Sequence, residues 1–129
     1  MDLDKRIVEY ANIIISDANG LLSVAKNLTE QQRHFVSRIS AAAERLILAN
    51  DQYLSQPLPT DSVVSQELLI VVVHDLRMPV ALMLGYCDVL KQFEDISSWS
   101  EKEVATLHHI GEHISLIEEV LTEFSNRSE

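Results

Sequence analysis

The feature that most constrains this chain is the spacing of its apolar residues, which recur at alternating intervals of four and three in four separate stretches. The first runs from about Asp4 to Ala25, with Ile7, Ala11, Ile14, Ala18, Leu21, Ala25 and Leu28 on one stripe. Thr29 and Gln32 have capping-box spacing and open a second stretch, in which Val36, Ile39, Ala43, Leu46, Asn50 and Tyr53 keep the same rhythm. Ser55 to Thr60, with Pro57 and Pro59, interrupt it. The third begins at Thr60 or Asp61, runs to about Phe93, and aligns Leu69, Val72, Leu76, Pro79, Met83, Tyr86 and Leu90. Ser100 and Glu103 form another capping box ahead of Leu107, Ile110, Ile114, Ile117, Leu121 and Phe124. A helix with one apolar stripe must bury it against other helices, so the pattern predicts an all-α antiparallel four-helix bundle made of two helical hairpins.

Residues 1–129 are one domain's worth of chain, and three glycines and three prolines leave little turn chemistry for a β architecture. The halves resemble each other. Shifting Ile13–Asp17 by 58 residues lands on Val71–Asp75, and a shift of 71 carries Ile39, Leu46 and Tyr53 onto Ile110, Ile117 and Phe124. Each half, 1–55 and 60–127, reads as one hairpin.

Twenty acidic against ten basic residues give a net charge of -10, a field that repels nucleic acid and anionic lipid. The single cysteine, Cys87, has no partner for an internal disulfide. The start Met-Asp-Leu-Asp-Lys-Arg lacks the layout of a signal peptide, so a cytoplasmic location is expected. The longest unbroken apolar run, Leu68 to Val73, is six residues, and no membrane span is expected on that count.

The stretch richest in chemistry is His74-Asp75-Leu76-Arg77-Met78-Pro79-Val80. A neutral imidazole is a good nucleophile near pH 7, with an ordinary pKa of about 6.5, and an adjacent carboxylate can orient it. The motif resembles the H-box of the dimerisation and histidine-phosphotransfer (DHp, HisKA-type) domain of sensor histidine kinases: His, an acid, Leu, Arg, any residue, Pro, then an apolar helix. The resemblance implies that His74 accepts and donates a phosphoryl group to or from a response-regulator aspartate. It implies that Asp75 orients the ring, that Arg77 meets phosphate oxygens, and that Pro79 distorts the helix after the histidine. It implies a receiver domain as partner, a histidine kinase catalytic domain as a further one, and Mg²⁺ held by the receiver; this chain is expected to bind no cofactor or metal of its own. The implied assembly is a homodimer of hairpins or, given the internal repeat, a single-chain bundle. On that repeat Ser16 stands for His74, Asp17 for Asp75, Asn19 for Arg77 and Leu21 for Pro79, which makes the first hairpin a degenerate copy. The docking face is expected around His74, on the lower part of the first and third helices.

Two departures qualify the resemblance. Met78 stands four residues after the histidine, where the family often has Thr or Asn to place a hydrolytic water, so phosphatase action is not expected. No Asp-x-Gly-x-Gly or similar phosphate loop follows in the 55 residues after His74, so autophosphorylation from ATP is not expected. The rival readings are a non-catalytic DHp-like module that dimerises or binds a partner, and a fragment of a larger sensor kinase. Other signals read blandly. His109 and His113, at i and i+4 near His108 and Glu112, have metal-ligand spacing but lie off the apolar stripe; Glu118 and Glu119 suit a solvated face; Cys87, Met83, Tyr86 and Phe93 suit core or interface; Trp99 suits a cover over one bundle end. Asn50 and Tyr53 are polar interruptions of the second stripe.

Overall fold

The computed structural model describes residues 2–54 and 61–128, which form four helices: α1 (Asp2–Val24), α2 (Glu30–Leu54), α3 (Ser62–Gln92) and α4 (Glu101–Ser128). They pack as an antiparallel bundle with no strand among the described residues. Each of α1 and α3 lies against both α2 and α4, and the diagonal pairs do not approach. The break at Ser55–Thr60, with Pro57 and Pro59, falls outside the described residues.

The stripes are the core. Ile7, Ala11, Ile14 and Ala18 of α1, Val36, Ile39, Ala43 and Leu46 of α2, Leu76, Met83 and Leu90 of α3, and Leu107, Ile110, Ile114 and Ile117 of α4 are all fully buried. α3 adds Val73, Val80 and Cys87, one position beyond the stripe. Phe93 is not part of the core: it is the C-cap residue of α3 and 78% exposed. Pro79 is buried within α3, and the residues on both sides of it remain helical.

Capping follows the sequence. The Thr29 N–H donates to Gln32 Oε1 (3.0 Å) and the Gln32 N–H to Thr29 Oγ1 (3.1 Å); Ser100 and Glu103 repeat the exchange at 3.1 Å in both directions. Asp61 caps α3 by accepting from the N–H groups of Val63 (2.9 Å) and Val64 (3.2 Å). α1 has no basic residue in its last turn, and Arg33 of α2 closes it instead, donating to the carbonyls of Leu22 (2.9 Å) and Ala25 (2.6 Å).

The shift of 71 carries the start of α2 onto the start of α4, but the shift of 58 does not match the ends of α1 and α3. Matching the hairpin ends carries Ile7, Ala11, Ile14, Ala18 and Leu21 onto Leu76, Val80, Met83, Cys87 and Leu90, buried onto buried, and brings Val24 onto Phe93, where α3 ends. The shift of 58 instead sets the end of α1 level with Leu82, about three turns short. In the alignment by hairpin ends Lys5, not Ser16, pairs with His74. Both registers place apolar on apolar because they differ by eleven residues, close to three whole helical turns.

α3 is long and apolar enough over Gln66–Gln92, by length and composition, to cross a membrane (mean hydropathy 1.8). Isolated polar residues break its apolar runs, which is why counting unbroken runs passed over it. Part of that apolarity is the buried face described above.

Candidate functional site

His74 lies on the outward side of α3. Val72, Val73 and Leu76 turn inward around it, and its side chain is 76% exposed. Consecutive helical residues point about 100° apart, so Asp75 is poorly placed to hold its neighbour's ring. The closest approach, His74 Nδ1 to Asp75 Oδ1, is 3.7 Å, an ion-pair distance rather than a hydrogen bond. Asp75 instead engages Tyr53 of α2, whose phenol is pushed above its ordinary pKa of 10.0 first by hydrogen bonding to that carboxylate and then by its charge.

Arg77 is exposed one turn on. It borders a groove of about 220 Å³ between α3 and α4, formed with Val80, Ala81, Leu84, Glu118, Leu121 and Thr122. Ile70, Val71, Met78 and Leu82 are 57%, 53%, 56% and 40% exposed, so the histidine sits within an uncovered apolar strip. Because α1 and α3 are diagonal, they do not form one face, and a surface centred on this strip adjoins α2 on one side and α4 on the other.

A second cluster lies between α1 and α4. His109 Nδ1 and Asp17 Oδ2 are 2.5 Å apart, His113 Nδ1 is 2.8 Å from the His109 carbonyl oxygen, and the two rings are 4.3 Å apart. Tyr10 meets His113 edge-on at 5.9 Å. The i, i+4 histidines were visible in sequence, but their acid comes from α1 rather than from Glu112. Among the described residues no group of three or more His, Cys, Asp or Glu side chains is placed to hold a metal ion. Ser16 and Asp17 also line a groove of about 510 Å³ with Gly20, Lys102, Glu103 and Thr106.

The remaining singled-out residues have structural surroundings. Trp99 is buried over the loop end of the bundle, and its Nε1–H donates to Gln32 Oε1 (3.1 Å) while Gln32 Nε2 donates to the Asp95 carbonyl (2.9 Å). Cys87 is buried, and desolvation pushes its thiol above the usual 9.0 against the opposing pull of Lys91. Asn50 is buried, Tyr53 is half-buried, and Glu118 and Glu119 are exposed.

Comparison with family models, curated proteins and solved structures finds no match to this chain.

Proposed function

We propose that this chain is a DHp-like phosphotransfer domain of two-component signalling, with His74 passing a phosphoryl group to or from the aspartate of a receiver domain. The observation that carries the reading is the exposure of His74 at the centre of an apolar strip on α3, since a phosphorylatable ring must reach another protein's carboxylate. Arg77, on the same side and beside the α3–α4 groove, is suited to phosphate oxygens. The receiver supplies the Mg²⁺, docks over α3 and α4, and the encounter takes place in the cytoplasm. The internal repeat favours one chain building the whole bundle rather than a homodimer of hairpins.

One observation favours a second reading, a binding module without phosphotransfer: Asp75 approaches the His74 ring only to 3.7 Å and leaves it without a firmly held partner. Incubation with phosphorylated receiver domains or an active histidine kinase separates the two. Acid-labile, base-stable label on His74, lost in His74→Ala and His74→Gln, supports phosphotransfer; a folded chain that takes no label at His74 from a broad donor panel supports the binding module.

A further inference from the structure

The better-organised imidazole in this molecule is not in the His74 motif. Asp17, on α1, meets His109, on α4, through Nδ1 at 2.5 Å. A carboxylate only accepts, so the ring proton sits on Nδ1 and the Nε2 lone pair is left for chemistry. The His109 side chain is 48% exposed and that of Asp17 23%, which leaves the ring reachable while its anchor is mostly covered. The ring is further held against His113, which is itself tied to the His109 carbonyl oxygen and braced by Tyr10.

We propose that His109 is a second phosphoryl acceptor, taking the group on Nε2 from a donor with an activated P–N bond such as a phosphohistidine. Asp17 is its positioning residue. The proposal is independent of the reading of His74. In the step, the Nε2 lone pair attacks phosphorus and forms an N–P bond while the donor's P–N bond breaks. The bonding pair leaves with the donor nitrogen, which departs as a neutral imidazole from a protonated phosphohistidine, or as ammonia from the phosphoramidate zwitterion. His109 becomes a phosphorylated imidazolium that keeps its Nδ1 proton, and the positive charge faces the Asp17 carboxylate. Asp17 also lines the neighbouring groove of about 510 Å³, with Lys26, Lys102 and Glu103, whereas the His109 ring lies outside that lining.

Phosphoramidate, a small P–N donor that releases ammonia, is the probe. The full chain and its Asp17→Asn, His109→Gln, His113→Gln and His74→Gln variants are incubated with it, their helicity is checked by circular dichroism, and label is mapped by mass spectrometry and ³¹P NMR. The expected result is label on His109 as the Nε2 isomer, lost in His109→Gln and retained in His74→Gln and His113→Gln. In Asp17→Asn it forms at least about tenfold more slowly, with the Nδ1 isomer gaining share as the tautomer is released. Label confined to other histidines, the Nδ1 isomer dominant on wild-type His109, or an Asp17→Asn rate equal to wild type overturns the proposal. Site mapping keeps the test apart from the His74 reading, because loss of label at His74 leaves the His109 result unchanged.

Discussion

Gln32 shows how much one side chain organises. It is 2% exposed; its amide oxygen accepts from Thr29 and from the Trp99 indole, and its amide nitrogen donates to the Asp95 carbonyl, so one residue ties the α2 start to the α3–α4 loop. Gln32→Ala strands the buried indole N–H and is expected to cost about 1–3 kcal/mol in urea unfolding. Asp95 behaves differently. The Ser97 hydroxyl (2.6 Å) and backbone N–H (3.0 Å) hold its carboxyl below the ordinary 3.8. Its stabilising contribution is therefore present above pH 3.8 and is lost as the pH falls through the lower folded value. In Ser97→Ala, an NMR titration should find the Asp95 midpoint moved up toward 3.8. Cys87 has the opposite sign: with its folded pKa raised, stability declines as the pH rises through the ordinary thiol value of 9.0, and alkylation of the native chain should be much slower than of the unfolded chain.

Helix starts were legible because a capping box is a local device: donor and acceptor lie three residues apart, and both boxes form as spaced. Thr29→Ala and Ser100→Ala should each cost about 1 kcal/mol by thermal or urea unfolding. The Thr29 loss should combine non-additively with Gln32→Ala, since the two share a network. α3 separates two kinds of apolar residue that sequence alone treats alike. Met83 is fully buried, and Met83→Ala should cost about 2–5 kcal/mol. Met78 and Val71 face outward, so Met78→Glu and Val71→Glu should shift stability by no more than about 0.5 kcal/mol. If the strip around His74 seats a receiver, the same two variants should slow phosphotransfer while the unfolding midpoint stays in place.

At the scale of the whole molecule, the four-membered ring of helices decides which residues become neighbours. It puts α1 against α4, so Arg6 meets Glu123 at 2.6 Å and Asp17 meets His109, each pair separated by more than ninety residues of chain. The Arg6–Glu123 pair is partly exposed and contributes little stability, while the Asp17–His109 pair fixes the orientation of an imidazole ring. The ring of helices also keeps α1 and α3 apart, so a surface built around His74 combines α3 with either α2 or α4.

The four helices, their caps and their buried stripes are legible along the chain, because these depend on interactions three or four residues apart and on the periodic burial of apolar area. The sequence also marked His74, Asp75, Arg77 and Pro79 as a motif. The packing of the helices settles the rest: it brings Tyr53 of α2 under the influence of Asp75 and sets Asp17 of α1 against His109 of α4. A helical stripe looks the same after eleven residues as after none, so periodicity fixes which face is buried and leaves the height along the bundle to the loops and to packing.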